Sequence, residues 1–68
     1  MAYKFKISKD FASAKVDLPE KGEVLELSKD NNGDFDIFLH SGDNVEHLAT
    51  LTYNEIKGLC QIVLNNEQ

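Results

Sequence analysis

Apolar and polar residues alternate in several short stretches of this chain, and turn-forming residues separate one stretch from the next. The alternation is clear in residues 3–7 and 14–18, and residues 24–28, 35–40 and 45–51 are three further predicted strands. A period of two residues places every second side chain on the same side of a β-strand. The pattern therefore predicts an antiparallel β-meander of four to five strands joined by short turns.

The last quarter of the chain changes to a helical period. Thr52 and Glu55 have the spacing of a capping box, in which each side chain accepts a hydrogen bond from the other residue's backbone N–H. Apolar residues then recur three and four positions apart, at Ile56, Leu59, Cys60 and Val63. We predict an α+β fold for residues 1–68, a single small domain in which one C-terminal helix packs on the sheet.

The turn at residues 30–34 is compatible with two registers of the central hairpin. A two-residue turn at Asn32-Gly33 would place Leu25 on the same side as Phe38. A three-residue loop with the glycine in the left-handed conformation would place Leu25 beside Ile37 instead. We predict the three-residue loop, because a one-residue slip exchanges the two sides of a strand and this register gathers more apolar side chains on one side.

In this register, one side of the sheet and the apolar stripe of the helix form the predicted core. Its members are Phe5, Ile7, Val16, Leu18, Leu25, Leu27, Phe35, Ile37, Leu39, Leu48, Ile56, Leu59, Cys60 and Val63. The helix carries further apolar residues beside this stripe, so its apolar arc is wider than a helix covering one side of a sheet needs.

The opposite side of the predicted sheet is too apolar to face open solvent. The next hairpin turns at Gly42-Asp43 and pairs Phe38 with His47. We predict that this side is a partner or dimer surface, and a second copy of so small a chain is the simplest partner, so we expect a homodimer. Besides Ala49, the surface comprises Glu26, Asp36, Phe38, His40, Val45, His47 and Leu51.

The charge balance bears on the kind of partner. The chain has seven lysines, no arginine and twelve acidic residues, and its net charge is −5. An acidic chain repels nucleic-acid phosphates, and without arginine it lacks the planar group that binds phosphate in a bidentate manner. We therefore expect a protein-binding regulator or inhibitor that acts through its acidic surface.

Single-stranded nucleic-acid binding is the alternative. Lys4, Lys6 and Lys15 project from predicted strands near Phe38. Lysines combined with an aromatic stacking surface are how single-strand binders hold their ligand. Because acidic side chains share that surface, we rank this function second.

The sequence predicts neither catalytic residues nor a metal or cofactor site. His40 and His47, with Asp36 nearby, do not complete a closed ligand set. Cys60 is the only cysteine and falls on the apolar arc of the helix, so it is read as a small core residue. A chain this short has few residues from which to build both a core and an enclosed pocket. We therefore expect that it is not an enzyme.

The expected location is the cytoplasm. No apolar run approaches the roughly 20 residues that a membrane helix needs, and we expect no membrane association. The alternating residues 1–6 do not resemble a signal peptide. A single unpaired cysteine suits a reducing compartment.

Two resemblances accompany this interpretation. The order of strands, followed by Leu51-Thr52-Tyr53-Asn54-Glu55 leading into a terminal helix, resembles the positive-cofactor-four-like transcriptional coactivators over about residues 24–64. The resemblance implies a dimer with a sheet and a helix that binds single-stranded DNA, although residues 24–40 carry Lys29 against four acidic residues where that family has a basic sheet face. In size, charge and design the chain is also similar to small acidic phage inhibitor proteins, which mimic nucleic acid on a host enzyme.

Overall fold

A computed structural model describes residues 4–67, which form five strands and one helix. The elements are β1 (Phe5–Ile7), β2 (Ser13–Leu18), β3 (Glu23–Lys29), β4 (Phe35–Ser41), β5 (Asn44–Leu51) and α1 (Tyr53–Asn65). The strands form one antiparallel sheet in sequential order. The predicted α+β meander with a C-terminal helix is therefore confirmed. Tyr3, which belongs to the first predicted strand, lies outside the described residues.

The loop between β3 and β4 has the predicted three residues. Gly33 adopts a φ of +86°, which side chains other than glycine rarely allow. The Oδ1 of Asp30 accepts a hydrogen bond from the backbone N–H of Asp34 at 2.9 Å, which closes the loop. Leu27 consequently lies opposite Ile37, so the predicted register of the central hairpin is confirmed.

The hairpin of β4 and β5 contains a β-bulge. It begins as predicted, with Phe38 opposite His47. Leu48 then has no cross-strand partner, and Ile37 pairs with Ala49. One extra residue in a strand reverses the alternation of side chains beyond it. Leu48, a predicted core residue, is exposed at this bulge.

Because of the β-bulge, two residues of the predicted interaction surface lie on the other side of the sheet. Leu51 lies opposite Phe35, on the side of the sheet away from Phe38, and Ala49 lies on that same side. The prediction that both belong with Phe38 is therefore wrong. Thr50 takes their place, opposite Asp36. The surface that carries Phe38 loses two apolar side chains, gains a hydroxyl and is less apolar than the sequence indicates.

The capping box at the start of α1 is confirmed. The backbone N–H of Glu55 donates to Thr52 Oγ1 at 3.2 Å, and the backbone N–H of Thr52 donates to Glu55 Oε1 at 2.8 Å. Ile56 and Leu59 line a cavity together with Ile37 and other side chains of the sheet. We call this side of the sheet, together with α1, the helix side. The other side, which carries Phe38, is the open face.

One helix does not bury the apolar side of this sheet. A helix of 13 residues is about 20 Å long and about 10 Å wide, whereas the outer axes of five strands are about 19 Å apart. None of the residues that the structure describes is fully buried. The predicted core is therefore half-buried at best. Its exposed members are Phe5, Ile7, Leu48, Leu59, Cys60 and Val63.

The turn between β1 and β2 is held by side-chain hydrogen bonds. Ser8 donates its hydroxyl to Asp10 Oδ1 at 2.7 Å, and the backbone N–H of Ala12 donates to the same carboxylate at 3.1 Å. Phe11, in the middle of this turn, is 81 % exposed and has a left-handed φ of 58°. The hydrogen bonds of Ser8 and Asp10 hold this bend, and the aromatic ring of Phe11 faces solvent.

The turn makes a pH-dependent contribution to stability. The hydroxyl of Ser8, followed by the N–H of Ala12, holds the pKa of the Asp10 carboxyl below its usual range. A lowered pKa in the folded state stabilises the protein above the unfolded-state pKa, and the effect disappears as the pH falls through the folded-state pKa. We therefore expect Asp10→Asn, which keeps an acceptor oxygen but no charge, to be less stable than the unmodified chain at neutral pH.

Urea unfolding of both proteins at about pH 7 and about pH 3 measures this effect. The difference in the free energy of unfolding between them is expected to shrink at the lower pH. A difference of equal size at both pH values would show that the charge of Asp10 does not stabilise the turn.

Candidate interaction surface

The register of the sheet places the charged and aromatic side chains of the open face in one row. Lys6 lies opposite Lys15, Lys15 opposite Glu26, Glu26 opposite Phe38, and Phe38 opposite His47. Directly paired residues share a side of the sheet. The row therefore crosses all five strands, with its cations on β1 and β2 and its aromatic rings on β4 and β5.

A histidine–carboxylate pair lies on one side of Phe38. His40 Nε2 is 2.6 Å from Glu26 Oε1, and both side chains are half-buried. The two residues are diagonal neighbours on β3 and β4, so the backbone register brings them together. The Glu26 carboxylate is thus engaged by an imidazole of its own chain.

A second histidine–carboxylate cluster lies on the other side of Phe38. His47 Nε2 is 3.2 Å from Asp36 Oδ1, and the hydroxyl of Thr50 donates to the same oxygen at 2.6 Å. The Thr50 oxygen is 2.9 Å from His47 Nε2. The Phe38 and His47 rings are 5.2 Å apart between centroids and tilted by 41°.

Sequence reasoning missed Thr50. Strict alternation along β5 would point its side chain to the helix side, and only the bulge at Leu48 turns it toward Asp36. A bulge leaves no dependable mark in an alternating sequence, because Leu48 itself fits either side. The one available signal is that Thr50 is polar in a position predicted to be apolar.

The open face holds most of the predicted partner surface. Six of its seven residues lie there, namely Glu26, Asp36, Phe38, His40, Val45 and His47. Leu51 lies on the helix side, as described above. Lys6 and Lys15 share the row of Phe38, and Lys4 precedes β1 with its carbonyl accepting the N–H of Asp17 at 3.1 Å.

The sheet keeps the Cys60 thiol apart from both histidines. Cys60 lines the cavity on the helix side, whereas His40 and His47 lie on the open face, so the sheet separates the thiol from both imidazoles. Among the described residues, no three histidine, cysteine or acidic side chains come close enough to hold a metal ion.

The carboxylates within residues 4–67 form no ion pairs with lysines. Within residues 4–67 the basic side chains that contact a carboxylate are His40 and His47, and no lysine reaches one. Several carboxylates are used by the backbone instead, as Asp10, Asp30 and Glu55 accept hydrogen bonds in turns and at the helix cap. The chain of net charge −5 thus has carboxylates that no lysine contacts within residues 4–67.

One end of the sheet is more acidic than the rest. The β2–β3 and β4–β5 turns lie together there, because Glu23 pairs with Ser41. Glu20, Asp43 and Glu46 are exposed at this end and form no hydrogen bond or ion pair with any other described residue. Their carboxylates are available to an outside cation.

Comparisons with protein-family models, with curated proteins and with solved structures found no match to this chain. In the part of the chain that the structure describes, α1 is too short to span a membrane.

Proposed function

We propose that this chain is a non-enzymatic binding module that regulates or inhibits a protein partner through its acidic surface. The observation that carries the proposal is the absence, within residues 4–67, of any lysine–carboxylate ion pair in a chain of net charge −5. Unneutralised carboxylates attract a basic partner, speed its association and repel nucleic acid and other acidic surfaces. The unpaired Cys60 suits a cytoplasmic setting.

The acidic end of the sheet is the part of this surface that we expect a basic partner to contact first. No described side chain binds the carboxylates of Glu20, Asp43 and Glu46 there, so they are free to contact a cation. The carboxylates of the open face are different, because His40 and His47 engage Glu26 and Asp36. Long-range attraction and local contact are thus expected at different places on the molecule.

The proposal is tested by capturing partners from a lysate of the source cell and measuring how salt releases them. We expect a basic protein to bind the unmodified chain. Its affinity is expected to fall at least about tenfold between about 50 and about 500 mM NaCl. The combined change Glu20→Gln, Asp43→Asn and Glu46→Gln is expected to reduce that affinity at low salt. It removes three charges and changes side-chain shape little.

The matched control removes three charges of the opposite sign, by changing Lys4, Lys6 and Lys15 to glutamine. We expect this control to bind the basic partner at least as well as the unmodified chain, because it is more acidic. A captured protein whose affinity is unaffected by salt and by the acidic-end changes would contradict the proposal.

Single-stranded nucleic-acid binding is the second candidate, and the register of the sheet supports it. Lys6, Lys15 and Phe38 lie in one row of the open face, the arrangement that a stacking surface with lysines requires. Glu26 lies between Lys15 and Phe38 in that row and opposes a phosphate backbone. This opposition is why we rank the function second.

A fluorescence titration with a labelled single-stranded oligonucleotide at low salt separates the two candidates. We expect no submicromolar binding. Submicromolar affinity that disappears in the lysine-to-glutamine control would reverse the ranking.

A further inference from the structure

A single copy of this chain exposes more surface than is expected for a monomeric folded protein of the same mass. Its accessible area is 5725 Å², whereas a monomeric protein of 7.7 kDa is expected to expose about 4,300 Å². Its radius of gyration is 13.0 Å, against about 11 Å expected for a chain of this length. The excess is about 1,400 Å².

The excess apolar surface lies mainly on the helix side. A cavity of about 290 Å³ opens between α1 and the sheet, and apolar side chains from both line it, including Phe5, Leu27 and Leu59. Val63 continues the sheet-facing stripe of α1 by helical spacing, yet it is 68 % exposed. Phe5, on the edge strand β1, is 75 % exposed. An uncovered apolar strip therefore joins β1 to the second half of the helix.

Charge favours the helix side over the open face for contact between two copies. In a two-fold dimer the same patch meets itself, and each charged side chain within it loses hydration unless an opposite charge meets it. The open face carries Lys6, Lys15, Glu26 and Asp36. The strip between β1 and the second half of α1 is apolar, and Glu46, which lies on the helix side opposite Leu39, is on the far edge strand β5.

We propose that the helix side is closed by a second copy of this chain, packed against α1 and β1 in a two-fold dimer. Covering the excess of about 1,400 Å² on each copy buries about 2,800 Å² in total, which is in the range of obligate homodimers. The proposal goes beyond the acidic binding function, since it depends on apolar surface alone. The open face and the turns that carry Glu20 and Asp43 stay outside this interface and available to a partner.

The first test compares two matched substitutions by size-exclusion chromatography with light scattering. Val63 and Val45 are both valines, are 68 % and 59 % exposed in a single chain, and lie on the helix side and the open face respectively. We expect the unmodified chain to have twice the mass of 7.7 kDa, Val63→Glu to have the mass of one chain, and Val45→Glu to remain a dimer. A monomeric Val45→Glu beside a dimeric Val63→Glu would overturn the proposal.

The second test uses the unmodified chain and does not depend on whether a variant folds. Cys60 is the only cysteine, is exposed in a single chain and lines the cavity on the helix side. We expect its reaction with a maleimide to slow at least about tenfold as the protein concentration rises into the dimeric range, because the second copy covers the thiol.

Three results of the thiol measurement would overturn the proposal. One is a dimer whose Cys60 reacts as fast as in the dilute monomer, which would place the contact on another face. Another is a monomer at every concentration with a reactive thiol. The third is a monomer whose thiol is protected even when dilute, which would mean that the helix closes on the sheet or that a small apolar molecule fills the cavity.

Discussion

Diluting the protein is expected to lower its unfolding temperature by roughly 5 °C for each tenfold dilution. When folding and pairing are linked, the folded state gains free energy by mass action as the concentration of chains rises. A chain of 68 residues has a small entropy of unfolding, so a small change in free energy moves the midpoint by several degrees.

Differential scanning calorimetry over a hundredfold range of concentration measures this shift. The matched control is Val63→Glu, which is expected to unfold at one temperature regardless of concentration. An unmodified chain with a constant midpoint would mean that one copy folds and is stable alone, despite its large exposed area.

Replacing Ile37 with alanine is expected to reduce the free energy of unfolding by about 1–3 kcal/mol, less than the same change in a fully packed core, because Ile37 is half-buried and lines an open cavity. Ile37 lies on β4 between Leu27 and Ala49 and lines the cavity beneath α1. Its loss removes contacts to both neighbouring strands and widens the cavity beneath the helix. Small domains have a limited free energy of unfolding, so this change is a large fraction of it.

Urea unfolding at a fixed protein concentration measures the effect, and Val45→Ala is its control. Val45 is on the open face of the edge strand β5 and is 59 % exposed, so its truncation is expected to change the free energy of unfolding by less than about 0.5 kcal/mol. Equal costs for the two substitutions would contradict the assignment of the apolar packing to the helix side.

The central hairpin is the part of the fold that the sequence predicts best. Two independent signals agree there, because Gly33 favours the three-residue loop and the apolar residues of β3 and β4 then fall on one side. The capping box of Thr52 and Glu55 is similarly local, since both of its hydrogen bonds join residues three positions apart. Turns and helix caps that are formed by residues close in sequence can therefore be predicted from the sequence.

The β-bulge and the distribution of burial, by contrast, could not be predicted from the sequence. Leu48 satisfies the alternation on either side, so nothing local marks it as the extra residue that moves Leu51 and Thr50. The apolar spacing of α1 predicts a buried stripe, but burial depends on the width of the sheet relative to one helix. The sequence therefore located most of the open face, while Thr50 and the uncovered strip at Val63 became apparent only in three dimensions.

The β-bulge and the incomplete burial beneath the helix both change which side of the sheet is the more apolar. The open face is more polar than the alternation suggests, and the apolar surplus is on the side that the helix was expected to cover. A partner for the apolar surplus and a partner for the acidic surface are consequently assigned to different parts of the molecule.

Sedimentation equilibrium of the unmodified chain tests most directly whether one copy leaves an apolar surface that another copy must cover. We expect a reversible association that ends at twice the mass of 7.7 kDa and goes no further. A single species of 7.7 kDa up to the highest concentration that stays in solution would contradict the account.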